Sequence, residues 1–358
     1  MSLPRLVPQL ATKRLLQRAM SSVSSQFTVE HEIAAKGFGK GTNDFLHWNT
    51  FRHCLLTQVI FPSRRARPSY PAPAVKYIQS RVAPNGPSTE LDLIELGSGT
   101  GIFSRLLLSP PDRDTTAFAS VESNSQAGTK EYPDWFICSL YAVEPSEGMR
   151  QQWQNGIQKL VAQGKAHPTK TSDGGEKEIL TLNGGFSDLA ELKQRRREKG
   201  LKYEGWADAV LAAQAWHWAH PKYEEALREI ATVIKPGGKL VFIWNNEDRE
   251  PPYSQDYRNY EAGLEDNTPQ QRRGWWEAMF DTPAYKEFFN PSLGHGKGER
   301  NWFEWKRIVN DQAMLDRTFS KSYVAYRSDK EKEKIKEDMT QFLKEWKGRE
   351  WVDKEVPR

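Results

Sequence analysis

The sequence predicts an α/β protein with a mostly parallel sheet and helices on both of its faces. Between residues 71 and 250, apolar runs of strand length alternate with segments of helical periodicity. This alternation is typical of β–α–β units, which build parallel sheets. One junction between a predicted strand and a predicted helix, residues 94–103, carries three glycines at alternate positions. In doubly wound sheets such a turn faces the crevice where ligands bind, so the prediction extends to a ligand-binding edge.

The first half of this region supplies two predicted strands. Residues 72–82 are predicted to be helical, and residues 90–96 form a short, buried strand. The next helix contains residues 104–108 and stops at a Pro-Pro pair. Residues 109–138 are polar and irregular, which indicates a long loop, and residues 139–145 form the second strand.

The second half of the region between residues 71 and 250 supplies three more predicted strands. A helix follows Pro145, a residue suited to a first helical turn. Residues 176–186 are predicted to form the third strand and residues 207–214 the fourth. The amphipathic segment 221–234 is predicted to be a helix that ends at the Lys-Pro-Gly-Gly stretch, so that the fifth strand starts at Lys239. The intervening charge run at 194–202 is interpreted as a solvated helix end or loop.

The chain beyond residue 250 loses this regularity. It is rich in aromatic residues between 275 and 305, and it ends in a highly charged helical segment, 330–346. The aromatic cluster is interpreted as core that also walls a substrate site. We therefore expect four regions: a basic tail at 1–30, a lid region with an irregular insertion at 31–70, the sheet-containing core at 71–250 and a substrate-side region with the charged helix at 251–358.

Composition excludes several classes of function. The 51 Lys and Arg residues nearly balance the 47 Asp and Glu residues, giving a formal net charge of +4. A dedicated nucleic-acid binder would usually carry a concentrated basic face. Cys54 and Cys138 have no metal-ligand spacing, and neither do the histidines, so we expect no metal site. No apolar run approaches the length of a membrane span. The expected partner is a small molecule, with no nucleic acid and no membrane.

The N-terminal tail bears on localisation. It carries Arg5, Lys13, Arg14 and Arg18, several serines, and no acidic residue before Glu30. This composition is typical of a mitochondrial transit peptide. A disordered tail is the alternative, so the sequence predicts a cytoplasmic or mitochondrial protein.

The glycine turn has the spacing Gly97-x-Gly99-x-Gly101. The dinucleotide fingerprint G-x-G-x-x-G requires a small residue where this chain has Ile102, so a nicotinamide dehydrogenase is excluded. Glycine allows the backbone to approach a ligand closely. Glu95, just before the turn, suits a cationic or amine-bearing ligand better than a pyrophosphate.

Four stretches together resemble one family. "ELGSGTG" (95–101), "YAVEPSEGM" (141–149), "AAQAWHW" (212–218) and "IATVIKPGGKLVFIWN" (230–245) are similar, in order and placement, to the motifs of class I S-adenosylmethionine-dependent methyltransferases. With "RPSYP" at 67–71, the sequence looks closest to the small-molecule branch that includes trans-aconitate methyltransferase and fungal relatives. The resemblance covers about residues 65–325. It implies a Rossmann-like sheet of the seven-stranded type with a C-terminal addition.

The resemblance also implies the cofactor, S-adenosyl-L-methionine, and its contacts. An acid at the end of the second strand would hold the ribose hydroxyls. Glu144 is preferred over Glu122 because it ends a clear strand, whereas Glu122 lies in a polar stretch. Phe186 would stack on adenine and Asp188 would accept from its amine. The full set of predicted cofactor-binding residues is Glu95, Gly97, Ser98, Gly99, Gly101, Glu144, Phe186, Asp188 and Gln214, the last because it ends the fourth strand.

The chemistry is assigned to His217. It follows the fourth strand at the edge where this fold places its reactions. The flanking Trp216 and Trp218 are expected to shield it from water and to lower its pKa. A neutral imidazole there would accept a proton from an acceptor hydroxyl or orient a carboxylate by a hydrogen bond; a histidine that only caps the next turn is the structural alternative. The predicted function is O-methylation of a carboxylate or hydroxyl of a small molecule, with N-methylation less expected. The alternative is a cofactor-binding but inactive partner subunit.

Overall fold

A computed structural model describes residues 67–112, 130–166, 178–247, 252–289, 298–305 and 310–346. Within them lies one sheet of five strands in the order β3-β2-β1-β4-β5, with every neighbouring pair parallel. The N-terminal tail, residues 31–66 of the predicted lid region and Glu122 lie outside the described residues. The strands are β1 (Leu91–Leu96), β2 (Ile137–Val143), β3 (Glu178–Leu182), β4 (Ala207–Ala213) and β5 (Ile234–Ile243).

Helices alternate with these strands and then continue beyond them. The helices of the sheet region are α1 (Ala72–Val82), α2 (Ile102–Leu108), α3 (Glu147–Ala162), α4 (Ala190–Glu198) and α5 (Tyr223–Val233). Those of the C-terminal region are α6 (Pro252–Leu264), α7 (Asp311–Phe319), α8 (Ser322–Ala325) and α9 (Asp329–Glu345). Two 3₁₀ segments matter for the site: Trp216–Ala219, after β4, and Trp275–Asp281.

Each face of the sheet has its own apolar core. Alternate residues of a strand point to opposite faces. In β1, Leu91 and Leu93 pack with residues of α1, α2 and α3, whereas Ile94 and Leu96 pack with residues of α4, α5 and the 275–285 segment. Helices therefore cover both faces, which confirms the predicted α/β architecture.

The strand order places a crevice between β1 and β4. From β1 the chain moves outward through β2 to β3, and it then returns to form β4 on the other side of β1. The turns after β1 and β4 leave the same carboxyl edge and diverge to opposite faces. In open parallel sheets this reversal point is where ligands bind.

Three details of the sheet region differ from the sequence prediction. The sheet has five strands within the described residues, not seven. The third strand ends at Leu182, so Phe186 lies in the following turn. The fifth strand begins at Ile234, directly after α5, because Ala207 pairs with Ile234 and Ala209 with Lys239; the Lys-Pro-Gly-Gly stretch bulges out between these two pairs.

The charge run is a helix end, as predicted, with one buried exception. Arg196 is 6% exposed, and its guanidinium carbon lies 3.5 Å from the centroid of the Trp206 ring. Its Nε donates to the carbonyl of Lys202 at 2.6 Å. This arginine is part of the core rather than of a solvated face.

Ion pairs and hydrogen bonds attach the C-terminal region to the carboxyl edge of the sheet. Glu247, shortly after β5, accepts from Arg317 and from Lys321, each at 3.0 Å. These two cations lower the pKa of Glu247 although burial opposes them. Arg67 donates to the carbonyl of Ser320 at 2.6 Å. The region around α7 therefore lies beside the edge that carries the predicted site.

Candidate active site

The three glycines of the turn after β1 serve two different purposes. All have positive φ, 64° at Gly97, 55° at Gly99 and 78° at Gly101. A Cβ at Gly97 would lie 2.6 Å from the Cβ of Ala215, and one at Gly101 would overlap the ring of Trp153. A Cβ at Gly99 would meet nothing nearer than the Met149 sulfur at 3.8 Å. Packing thus requires two of the glycines, whereas at Gly99 a Cβ would make one ordinary van der Waals contact and no clash.

Glu144 is tied to this turn. One carboxylate oxygen accepts from the backbone N–H of Gly99 at 3.0 Å, and the other accepts from that of Ser146 at 2.9 Å. Ser146 is the N-cap of α3. Burial raises the pKa of Glu144, and the two N–H donors oppose that shift. The carboxylate is therefore fixed where the glycine turn meets the amino end of α3, as its predicted role requires.

Glu95 and Ser98 are buried beside the same turn. Burial raises the pKa of Glu95 to about 7, and the charge of Glu144 adds to the shift. Ser104 donates to the Glu95 carboxylate, and Trp153 in turn donates to Ser104 at 2.7 Å. The Ser98 hydroxyl is buried and has no hydrogen-bond partner among the described residues. Because buried polar groups are normally hydrogen-bonded, this hydroxyl marks a place for a ligand.

The turn after β3 contributes Phe186 and Asp188, and the structure gives them different environments. The Phe186 ring comes within 3.3 Å of where a Cβ on Gly97 would lie, and it meets Trp216 edge-on at 5.6 Å between centroids. Asp188 is exposed and accepts from the backbone N–H of Ala190 at 3.1 Å. Phe186 therefore lies with the glycine turn, while Asp188 has a local role at the start of α4; its contact with adenine stays a prediction.

Gln214 follows β4 directly and has a strained conformation. Its φ is 57°, a region that residues other than glycine rarely occupy. Its backbone N–H donates to the carbonyl of Ile243 at 2.8 Å, and its side-chain amide donates to the carbonyl of Asn245 at 2.7 Å. The strain is held by bonds to the end of β5, and strain of this kind is common at functional sites.

His217 lies in the 3₁₀ segment after β4 and is 6% exposed. Burial, with a contribution from the charge of Arg67, lowers its pKa to about 3, which agrees in direction with the sequence prediction. The neighbours differ from those expected. Trp218 lies beside the imidazole at 5.4 Å between centroids, but Trp216 stacks on Phe242 at 4.7 Å within the core.

The main partner of His217 is absent from the sequence prediction. The indole N–H of Trp244, just after β5, donates to His217 Nδ1 at 3.2 Å. Asn245 follows and donates to the carbonyl of Ser69 at 2.9 Å, which brings the 67–71 stretch to the site. Trp244 and Asn245 end the fifth strand predicted from the sequence. That position at the carboxyl edge is the sequence feature that could have identified them as site residues.

The aromatic cluster at 275–305 is partly core, with Trp276 and Phe280 buried, but Trp302 is 82% exposed.

The part of the chain that the structure describes contains no cluster of three His, Cys, Asp or Glu side chains able to hold a metal ion. None of its helices combines the length and apolar character needed to cross a membrane.

Several known proteins that are similar to this chain are methyltransferases or are named as such. A model of the methyltransferase domain matches residues 183–242, which include β4, His217 and most of β5. An uncharacterized methyltransferase of Mycobacterium tuberculosis is 32% identical over 116 residues, 32% of this chain and 40% of the relative. An uncharacterized methyltransferase-like protein of Schizosaccharomyces pombe is 28% identical over 137 residues, 38% of this chain and 49% of the relative. The chain thus matches less than half of the length of each relative.

The chain is similar to S-adenosylmethionine-dependent methyltransferases, and the domain match covers residues 183–242. The branch within that family stays a prediction. Among solved structures, the chain is similar to the magnesium protoporphyrin IX methyltransferase of Synechocystis, which was solved with bound S-adenosylmethionine. That match has 17% identity, covers 56% of this chain and 68% of the other, and has a TM-score of 0.27.

The residues of the site fit S-adenosylmethionine, the cofactor that the sequence resemblance implies. S-adenosylmethionine combines a cationic sulfonium and amine with ribose hydroxyls. The structure offers two buried carboxylates, Glu95 and Glu144, a buried hydroxyl without a partner on Ser98, and an open approach at Gly99. Acidic and hydroxyl groups of this kind complement a cationic, hydroxyl-bearing molecule.

Proposed function

We propose that the protein transfers a methyl group from S-adenosylmethionine to an oxygen of a small organic molecule. The observation that carries this proposal is the turn after β1. There the open face of Gly99, the unpartnered hydroxyl of Ser98 and the fixed carboxylate of Glu144 adjoin one another. Packing requires glycine at Gly97 and Gly101, but no clash requires it at Gly99.

In this proposal the cofactor residues bind and orient. Glu144 accepts from the ribose hydroxyls, Glu95 faces the cationic part, and Phe186 stacks on the adenine. Asp188 and Gln214 border the same crevice. When bound, S-adenosylmethionine supplies an electrophilic methyl group whose transfer leaves the electron pair of the broken C–S bond on sulfur. The chain's contribution is to align the acceptor with that methyl and to exclude water.

His217 serves the acceptor. A base with a pKa of about 3 is poorly matched to an alcohol, which must lose a proton as it is methylated. A carboxylate has no proton to lose, and a neutral imidazole can orient it by donating a hydrogen bond. We therefore favour a carboxylate over a hydroxyl or an amine as the acceptor.

The test is labelled-methyl transfer from S-adenosylmethionine into metabolites fractionated from the cells that produce the protein. We expect label in the organic-acid fraction, as base-labile methyl esters. Label in base-stable ethers or amines would contradict the carboxylate assignment.

Calorimetry with S-adenosylmethionine, carried out beside the labelling experiment, distinguishes the enzyme from the alternative, an inactive cofactor-binding subunit. Binding of S-adenosylmethionine without transfer to any fraction would favour that alternative. Absence of binding would overturn both.

A further inference from the structure

Trp244 and His217 lie at the ends of adjacent strands. Ala213, the last residue of β4, pairs with Ile243, the last residue of β5. Trp244 follows at once, and His217 lies in the turn that leaves β4. Parallel pairing therefore brings both rings to the carboxyl edge, where the indole N–H donates to His217 Nδ1 at 3.2 Å.

This hydrogen bond determines which imidazole nitrogen carries the proton. A neutral imidazole has one N–H and one bare nitrogen, and an indole nitrogen only donates. Nδ1 must therefore be the bare nitrogen, which leaves the hydrogen on Nε2. The opposite tautomer would set two N–H groups against each other in a buried place, where an unmade hydrogen bond is costly.

Both rings are held by packing, so the direction of the bond is fixed. The Trp244 ring contacts Trp276 at 4.9 Å and Phe242 at 5.8 Å between centroids. The imidazole lies beside Trp218. Among the described residues, the bond from Trp244 is the sole hydrogen bond of the His217 side chain. The Nε2–H group is thus left for a ligand.

We propose that Trp244 is a positioning residue that holds His217 as a fixed Nε2–H donor toward the methyl acceptor. This proposal rests on the proposed function and extends it. His217 cannot accept a proton at Nδ1 without losing the bond from Trp244, and a second proton would place a positive charge in a buried site that already feels Arg67. The pair consequently selects an acceptor atom that offers a lone pair and has no proton to lose.

The first experiment observes the tautomer. With ¹⁵N-labelled histidine, the bare and protonated ring nitrogens resonate apart, and their couplings to ring carbons distinguish Nδ1 from Nε2. Loss of a signal in His217→Gln assigns the residue. We expect hydrogen on Nε2 in the parent. Trp244→Phe removes the donor and is expected to raise the proportion of the Nδ1–H tautomer roughly fivefold, the effect of one ordinary hydrogen bond.

Trp206→Phe is the matched control. Trp206 belongs to the same core cluster, and its indole nitrogen has no hydrogen-bond partner among the described residues. This variant is expected to leave the His217 tautomer unchanged. Hydrogen on Nδ1 in the parent would overturn the proposal even if Trp244→Phe did not fold, and so would an unchanged tautomer ratio in a folded Trp244→Phe.

The second experiment measures function with the organic-acid fraction as the acceptor. We expect Trp244→Phe to raise the half-saturating amount of that fraction roughly fivefold, with a smaller fall in the maximal rate and an unchanged affinity for S-adenosylmethionine. Transfer by the parent together with an unaltered half-saturating amount in Trp244→Phe would contradict the positioning role alone. A parent that labels no fraction would instead contradict the proposed function.

Discussion

The turns after β1 and β4 face the same crevice, but they are built from different materials. The turn after β1 is made by backbone: three glycines with positive φ, and N–H groups that bind Glu144. The turn after β4 contains the strained Gln214 and the imidazole of His217, which accepts from the indole of Trp244 just after β5. In the proposed function, the turn after β1 binds the cofactor and the turn after β4 contacts the methyl acceptor.

The largest effect is expected at Gly99. Gly99→Val places a branched side chain in the open space of the cofactor turn, at a φ that valine disfavours. We expect the affinity for S-adenosylmethionine to fall by about 100-fold, measured by calorimetry. Gly164→Val is the control, because Gly164 also has a positive φ, 66°, with nothing near its Cβ position. Gly164 follows α3 at the end that is distant from the site. The Gly164→Val variant therefore measures the effect of the strained φ without any loss of space for the ligand. Equal affinity in both variants would remove Gly99 from the site.

The second-largest effect is expected for His217→Ala, in the turn after β4. We expect His217→Ala to lower kcat/KM for the organic-acid fraction by roughly 10–100-fold, the value of a hydrogen bond to a charged group. Most of the loss should fall on KM, and cofactor affinity should stay unchanged. His220→Ala, three residues away, is the control. A loss of roughly 10²–10⁴ confined to kcat and dependent on pH would instead make His217 a general base.

Glu95 gives the cofactor turn a pH dependence. Its folded-state pKa is about 7, against 4.5 for an ordinary glutamate, so the folded protein binds the proton more tightly than the unfolded chain. The resulting stability is fully present below about pH 4.5 and is lost as the pH rises through 7. A cationic cofactor favours the carboxylate, so its affinity should rise about tenfold between roughly pH 6 and pH 8.

Calorimetric titrations across this range measure the effect, and thermal unfolding of the free protein measures its counterpart. Glu95→Gln should remove most of both pH dependences. If the parent binds S-adenosylmethionine equally well at both ends of the range, Glu95 does not face its charge.

The smallest effect is expected at Asp188, which lies in the turn after β3, outside the two turns compared above. Asp188→Ala removes the hydrogen bond from the N–H of Ala190 at the start of α4 and should lower the free energy of unfolding by about 1 kcal/mol. If Asp188 also accepts from the adenine amine, cofactor affinity should fall roughly fivefold. Asp188→Asn retains a capping oxygen and is expected to restore most of the stability. Loss of stability in Asp188→Ala without any change in affinity would restrict this residue to capping.

The glycine turn is predictable because its causes are local. Glycine spacing, a strand before it and a helix after it lie within a dozen residues, and Glu144 follows the next strand. The contact between Trp244 and His217 is not predictable in this way, because it depends on the pairing of two strands, and the two residues are 27 positions apart in sequence. The sequence places both residues at one edge without showing that their rings meet.

Two errors of the sequence prediction have the same origin. The Pro-Gly pair after α5 predicts the end of a helix before a loop, but β4 pairs with residues on both sides of it, so β5 begins at Ile234. The charge run predicts a solvated Arg196, but this residue is buried against Trp206. In both cases a contact with a strand or ring distant in sequence determines the structure, and the local Pro-Gly or charge signal does not. Local preferences of this kind are routinely overridden by tertiary packing.

The φ of 57° at Gln214 has a consequence for laboratory evolution of this protein. Backbone strain at one residue costs of order 1–3 kcal/mol, and glycine or asparagine would relieve much of it. Selection for thermal resistance alone is therefore expected to favour substitutions at Gln214. Glycine would also delete the amide that donates to Asn245 and so loosen the end of β5 that carries Trp244. Libraries screened for heat tolerance should consequently be counter-screened for turnover, because at Gln214 the more durable protein is expected to be the poorer catalyst.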